Sequence, residues 1–413
     1  MKALTQNTTY IRTLFITLLL AVISSTLRAD YLEDFTGSSA INAPKTALLI
    51  TRISDGAIIA EHNADLPLIP ASIMKCVTTA TLLEKVGENY HYTTDVYTTG
   101  KVRNGILKGD LIAVGAGDPS LNSQYLKDGG NIVEEIAEAL RRAEIDTIVG
   151  TIRVDESIFS GPAINPLWAA GDLPNAYGTG SHGFNFEDNA SGKSSVKDPS
   201  AVFRTRLRTT LARYGIAILN DSSASTDSRR QKLMSHESLT IDEIMRSCMM
   251  RSDNQYAEAM LRTFAALSGK PGNAEEGAKL EIEKWKQHKA PLEGVNIVDG
   301  SGLSRSNRMT ARFMTYMLSR MSENPYYASF FPLAGQEGTL RKFLAGTKLD
   351  SYVAMKTGSM NGIQCYAGYL LDEDYVPTHT IVFMLNEMGN RQASRAEVEK
   401  LLLNLLANDN TTD

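Results

Sequence analysis

Pro70-Ala71-Ser72-Ile73-Met74-Lys75-Cys76-Val77-Thr78-Thr79-Ala80-Thr81-Leu82-Leu83-Glu84-Lys85-Val86-Gly87 is the stretch from which the fold can be read. Ile73, Met74, Val77, Ala80, Leu82, Leu83 and Val86 recur at three- and four-residue steps, so the spacing predicts a helix from Ala71 to Val86. Pro70 before it and Gly87 after it are the punctuation of a helix start and stop. Residues at i and i+3 share a face, so Ser72 and Lys75 can meet while Ile73 and Met74 turn inward. Acyl transfer needs a nucleophile with a base within hydrogen-bond reach, and a hydroxyl beside an amine supplies that pair. The amine serves as a base only if part of it is neutral, and burial or a second nearby cation lowers an ammonium pKa.

Alone, Ser-x-x-Lys is weak, because it arises by chance about once in a chain of this size at average composition. Ser194-Ser195-Val196-Lys197 matches as well, but it stands in a polar stretch before Asp198-Pro199 and reads as solvated loop. Ser252-Asp253-Asn254 follows an apolar helix ending near Met250 and opens another, where Ser252 taken alone reads as a helix N-cap. The same Ser-x-Asn spacing recurs at Ser120–Asn122, Ser322–Asn324 and Ser359–Asn361. Lys356-Thr357-Gly358 occurs once, directly after the strand-like Val353-Ala354-Met355. Glycine there permits close backbone approach, and Lys356 and Thr357 offer a cation and a hydroxyl to a substrate carboxylate. By itself the triplet reads as an edge-strand lysine before a turn.

Outward from these motifs the texture changes twice. Ala47–Ile53 and Ala57–His62, joined by Ser54-Asp55-Gly56, predict a hairpin. From Tyr92 to about Gln231 strands and turns dominate: Asn104-Gly105 marks a hairpin, a helix is expected near Ile132–Ala143 and a strand near Thr147–Val154. A polar run from Gly178 to Ser200 reads as loop, followed by a helix near Val202–Tyr214 and a strand near Ile216–Leu219. After Ser238 helices are expected at Ile241–Met250, Gln255–Ala266, Ala274–Gln287 and Thr310–Met321. The chain ends with strands at Val353–Met355, Cys365–Leu371 and Thr380–Leu385 and a helix at Ala393–Leu406.

A chain of 413 residues with 43% hydrophobic and 22% charged residues is long enough for two cores and carries no disordered or fibrous signature. Lys2 and Arg12, the short apolar run Leu14–Ile23 and the small residues up to Ala29 read as a secretory signal, residues 1–29. The run is shorter than the about 20 apolar residues a bilayer span needs. Losing it removes three cations and no acid, which moves the formal charge from −5 to −8. No basic patch for nucleic acid is implied. Cys76, Cys248 and Cys365 are odd in number, lack metal-ligand spacing and read as buried small hydrophobes, and six scattered histidines argue against a zinc enzyme. Metal and cofactor are therefore not expected.

Ser-x-x-Lys on an apolar helix, Ser-Asp-Asn between helices and Lys-Thr-Gly on a late strand form, in that order, the signature set of serine β-lactamases and penicillin-binding proteins. Gly117-Asp118-Pro119-Ser120-Leu121, Asp299-Gly300-Ser301-Gly302-Leu303-Ser304-Arg305 and Phe331-Pro332-Leu333-Ala334-Gly335 extend the likeness. Across nearly its whole mature length the chain resembles the class C low-molecular-mass penicillin-binding proteins, the D-alanyl-D-alanine carboxypeptidase/endopeptidases of the penicillin-binding protein 4 type. The resemblance implies an α/β (α+β) fold: a β-lactamase/transpeptidase-like core with an antiparallel sheet flanked by helices, residues 30–92 and 236–413, plus an inserted strand-rich second domain, residues 93–235. The 180-residue interval from Ser72 to Ser252 agrees with such an insertion. The family's nested third domain would here be reduced to a loop near residues 185–199.

Carried over by motif, Ser72 resembles the acylated serine and Lys75 its base, with Ser252 and Asn254 in the proton relay. Lys356 and Thr357 would hold the substrate carboxylate beside Gly358, and the N–H groups of Ser72 and Ser359 would form the oxyanion hole. Asp118 and Arg305 would recognise the free end of the stem-peptide side chain. Taken alone, Asp118 also reads as a turn residue before proline, and Arg305 as a surface ion pair. The implied partners are peptidoglycan peptides and β-lactam antibiotics, and the implied place is the periplasm or cell envelope of a bacterium. Two other readings stand beside this one: a β-lactamase, for which the sequence identifies no deacylating base, and a catalytically silent wall-binding or sensor protein. Oligomeric state and peripheral association with a membrane stay open.

Overall fold

Apolar runs from the two ends of the chain meet in one sheet. The computed structural model describes residues 28–220 and 229–407, so the expected export segment, apart from Arg28 and Ala29, lies outside the described residues. Five antiparallel strands stand in the order Val353–Met360, Ile363–Leu371, Pro377–Asn386, Thr46–Arg52, Ile58–His62. Side chains alternate between faces along a strand, and both faces here are covered. Ala47, Leu49, Ala367, Val382 and Met384 pack with the helices on one side. Leu48, Ile50, Val353, Ile381 and Phe383 pack on the other against Val398, Leu401, Leu402 and Leu405 of the last helix, Arg391–Leu406. Each fully buried aliphatic or aromatic side chain of this kind contributes about 1.5–3 kcal/mol relative to exposure.

The helix Met74–Val86 lies at the centre of the first of these cores, and every residue from Met74 to Leu83 is buried. Three buried threonines there are satisfied by carbonyls: Thr79 and Thr81 donate to Lys75 and Val77 of their own helix, and Thr78 donates across to Gly300 at 2.9 Å. Buried hydroxyls with partners cost little, so a helix surrounded by protein tolerates them.

Between Tyr90 and Ile241 the chain builds a separate packing unit. One sheet runs Arg230–Thr240, His91–Thr99, Leu111–Val114, Ile152–Asp155, and a second runs Ala217–Leu219, Thr147–Val149, Ile106–Lys108, Lys101–Arg103. With the helices Ile132–Arg142 and Pro199–Arg213 they enclose their own core of Val96, Leu107, Ile136, Ile148, Phe184, Phe203 and Leu207, among others. The unit leaves and rejoins the rest at one point, where Ile241 N–H donates to the Tyr90 carbonyl at 2.8 Å. The boundary expected between 235 and 236 falls inside the strand Arg230–Thr240, which stays paired to His91–Thr99 as far as Thr240 opposite His91.

Several local expectations need correction. The strand expected near Thr147–Val154 is two strands, broken at Gly150-Thr151, and each half pairs in a different sheet. The helix expected from Val202 starts at Pro199, because the Asp198 side chain accepts from Ala201 N–H at 2.7 Å and caps it. Within the polar run, Ala190–Ser191 and Ser194–Ser195 pair as a two-residue hairpin, which leaves Ser194 and Lys197 exposed as expected of the second Ser-x-x-Lys. The strand expected to stop at Met355 continues to Met360, so Lys-Thr-Gly lies within an edge strand rather than after it. All three cysteines are free and buried. No helix among the described residues is long and apolar enough to cross a membrane.

Candidate active site

Ser72 occupies a 3-10 turn, Ala71–Ile73, that leads directly into the central helix. The turn is forced from outside. Ala71 takes a left-handed φ of 46°, and a Cβ on Gly302 would stand 1.9 Å from the Ala71 carbonyl oxygen. On the other flank a Cβ on Gly358 would lie 2.7 Å from the Pro70 carbonyl oxygen and 3.1 Å from Ser72 N. Only glycine lets the edge strand and the Asp299–Ser304 loop close on Ser72 from both sides.

Lys75, fully buried, brings its amine 3.0 Å from Ser72 Oγ, 2.6 Å from Asn254 Oδ1 and 2.7 Å from the Ser301 carbonyl oxygen. The last two oxygens can only accept. A neutral amine satisfies both with its two N–H groups and keeps its lone pair for the Ser72 hydroxyl proton. Burial pushes the Lys75 pKa down, opposed by the nearby Cys248, Asp253, Asp299 and Glu258. Lys356, also fully buried, donates to Ser252 Oγ at 2.8 Å and to the Thr357 carbonyl at 2.7 Å. Burial first, and the charge of Lys75 second, lower its pKa to about 7.

Ser252 is not the N-cap its sequence position suggested. It ends the helix Ile241–Arg251 in a left-handed conformation, φ 60° and ψ 44°, and Asp253 caps the next helix, Asn254–Leu267, by accepting from Tyr256 N–H. That one-residue shift points the Ser252 hydroxyl at Lys356 and leaves the Asn254 amide free to bridge. Its Nδ2 donates to the Tyr177 carbonyl at 2.7 Å, tying a loop of the inserted unit to the site. Behind Lys75, Asp299 accepts from Gly302 N–H, Ser304 N–H, Asn307 Nδ2 and Trp168 Nε1. Glu258 accepts from Gly300 and Ser301 N–H, and so fixes the carbonyl that Lys75 touches.

Ser72, Ser252 and Ser359 line both halves of an open groove. Thr357 lies in one half, where it donates to Thr339 Oγ1 at 2.8 Å. Arg305 lies in the other, its Nη1 donating to the Asn361 carbonyl at 3.3 Å. Asp118 does not join them. It is 3% exposed, and its Oδ1 accepts from both the backbone N–H and the hydroxyl of Ser120, the geometry of a turn residue before proline. Burial raises its pKa. The acid of the inserted unit that does reach the groove is Asp172, held by the Tyr177 hydroxyl at 3.0 Å. Neither Asp172 nor Tyr177 stands in any spaced motif, so sequence reading had no signal for them.

The family model described as the D-Ala-D-Ala carboxypeptidase 3 (S13) family matches residues 29–193 and 187–408. The chain belongs to that family. Membership makes it a serine-type hydrolase of the D-Ala-D-Ala carboxypeptidase class. A carboxypeptidase of Mycobacterium tuberculosis is 26% identical over 87% of this chain and 81% of its own length. A D-alanyl-D-alanine carboxypeptidase of Haemophilus influenzae is 24% identical over 77% of this chain and 80% of its own. Among solved structures, penicillin binding protein 4 of Haemophilus influenzae superposes with a TM-score of 0.78 at 21% identity, covering 91% of this chain and 99% of that one. Its likeness extends to the fold: a transpeptidase-like core with an inserted unit.

Proposed function

We propose that the protein hydrolyses the D-alanyl-D-alanine end, and the matching cross-bridge bond, of peptidoglycan stem peptides through an acyl-enzyme on Ser72, and that β-lactams acylate the same hydroxyl. The observation that carries the reading is the Lys75 amine 3.0 Å from Ser72 Oγ, anchored by two acceptor-only oxygens. Lys75 takes the hydroxyl proton as Ser72 Oγ attacks the carbonyl carbon, and the N–H groups of Ser72 and Ser359 receive the oxyanion. Collapse of the tetrahedral intermediate breaks the C–N bond, and the leaving amine takes a proton through Ser252, which Lys356 resupplies. The proton gained by Lys75 replaces, through solvent in the groove, the one lost by Lys356. Water then attacks the ester and gives its proton to Lys75, which returns it to Ser72 Oγ as the C–O bond breaks and the shortened peptide leaves.

Thr357, on the edge strand with Gly358, faces the carboxylate end of the substrate. Arg305 and, in place of the acid expected at Asp118, Asp172 face the free end of the stem-peptide side chain. We assign the inserted domain to residues 91–240, since both crossings coincide with the Tyr90–Ile241 contact. The signal-like residues 1–29 support export to the bacterial envelope. A fluorescent penicillin followed by digestion tests the reading: a label on a peptide containing Ser72, and release of D-alanine from a pentapeptide, are expected. A label on another serine would overturn it.

A further inference from the structure

We infer that the half of the groove beyond Thr357 is a subsite for the leaving side of the substrate, shaped for an anionic peptide rather than for one D-alanine. The inference rests on the reaction proposed above and adds what lies past the bond that is cut.

This half, counted from the reacting centre outward, has a volume of about 480 Å³, and its wall runs from Ser72 past Thr357, Thr339 and Gln364 to Arg391 and Arg395. No acid lines it. Arg395 is already committed, since its Nε donates to Glu399 at 2.6 Å. Arg391 is exposed, donates only to the Met360 carbonyl at 3.1 Å, and has no carboxylate partner among the described residues. It is also the first residue of the helix Arg391–Leu406, which has no acid in its first turn, so the positive end of the helix dipole adds to the side-chain charge.

Gln364 supplies an independent pointer. It is 5% exposed, its Nε2 donates to the Tyr366 hydroxyl, and its Oε1 has no hydrogen-bond partner. An unsatisfied buried acceptor is costly, and a ligand N–H would relieve it. The wall thus asks for a chain with a peptide N–H near Gln364 and a carboxylate near Arg391. Cutting a terminal D-alanine releases a single residue. Cutting a cross-bridge releases an amine that belongs to a second stem peptide with further carboxylates trailing from it. The Arg391 charge beyond the cut favours the second substrate.

Three synthetic peptides test this, all with the same acyl part. One releases D-alanine, one releases a peptide with two additional carboxylates, and one releases that peptide with those carboxylates amidated. The charged leaving peptide should raise kcat/KM over its amidated twin by about tenfold, the size expected of one charge-assisted hydrogen bond. Arg391→Ala should erase that ratio and Arg391→Lys should restore part of it. A second measurement needs no turnover: titration of the free leaving peptide into Ser72→Ala protein should show the same charge preference, lost when Arg391→Ala is added. Equal binding and equal cleavage of the charged and amidated forms by the unaltered groove would overturn the subsite. Failure of all three peptides to be cut, with the binding preference intact, would instead overturn the proposed reaction and leave the subsite standing.

Discussion

Asn254 and Tyr177 are joined side chain to backbone: Asn254 Nδ2 donates to the Tyr177 carbonyl at 2.7 Å, while its Oδ1 accepts from Lys75. One amide therefore holds the Lys75 amine in place and ties a loop of the inserted unit to the core. Asn254→Ala strips a partner from both, and a buried polar group left unpaired costs about 1–3 kcal/mol. Acylation by penicillin should slow by about tenfold to a hundredfold, read as a rate of label uptake. An unchanged rate would show that Lys75 keeps its geometry without the amide.

Asn254→Asp changes charge without changing shape. A carboxylate beside Lys75 favours the ammonium and raises its pKa, so less neutral amine is present at a given pH. The acidic limb of the acylation rate profile should move toward higher pH. Movement in the other direction would remove Lys75 from the role of base.

Gly358→Ala tests the close approach of the edge strand. Its Cβ would stand 2.7 Å from the Pro70 carbonyl oxygen, so strand or turn must shift. Overpacking of this kind costs about 1–3 kcal/mol, enough to lower the melting temperature without unfolding the chain. Penicillin uptake should fall far more than stability does. A variant that melts lower and labels at the original rate would separate Gly358 from the groove.

Lys356 links the site to stability. Its folded pKa, about 7, lies below its unfolded value of 10.5 because burial disfavours the ammonium. Between those values the unfolded chain binds more protons, so the stability contributed at this position rises with pH. The penalty is fully present below pH 7 and fades toward pH 10.5. Lys356→Met removes it, so the variant should gain most in melting temperature over the parent near pH 6, with the gap closing by pH 10, while acylation is lost. A gap that is constant with pH would show that Lys356 titrates normally.

Asp172 and Asp118 separate a groove acid from a turn acid. Asp172→Asn should raise KM for stem peptides that end in a free side-chain amine. Asp118→Asn keeps an oxygen for Ser120 and should leave that KM where it was. A KM effect at Asp118 alone would reverse the assignment.

Much of this architecture was legible because its determinants are local. Ser72 and Lys75 are one turn apart, and Lys356, Thr357 and Gly358 are consecutive, so spacing placed each group before any tertiary contact was known. The hairpin of Thr46–Arg52 and Ile58–His62 and most of the helices followed from periodicity to within a few residues. Elsewhere periodicity ran on past a change of partner. Ile148, Ile152 and Val154 read as one strand, yet Gly150 hands the chain from one sheet to another, and hydropathy does not record hydrogen-bond partners. Asp118 was ambiguous because Gly-Asp-Pro-Ser describes a turn equally well, and its Oδ1 is in fact held by Ser120. Tyr177 was silent because its role depends on Asn254, which lies 77 residues further on and is met only in the folded chain, and Asp172 because it is held in turn by the Tyr177 hydroxyl.

The meeting of Tyr90 and Ile241 has a consequence for ancestry. Because both ends of the inserted unit emerge side by side, the unit can be acquired, trimmed or exchanged as a cassette while the two halves of the catalytic core keep their course. Rejoined at that contact, the two halves of the core would still form one continuous chain. What would be lost with the unit are the contacts by which it reaches the site, the Tyr177 carbonyl on Asn254 and the Trp168 indole on Asp299, together with one wall of the groove, so the cassette is removable in its connections and built in at the chemistry.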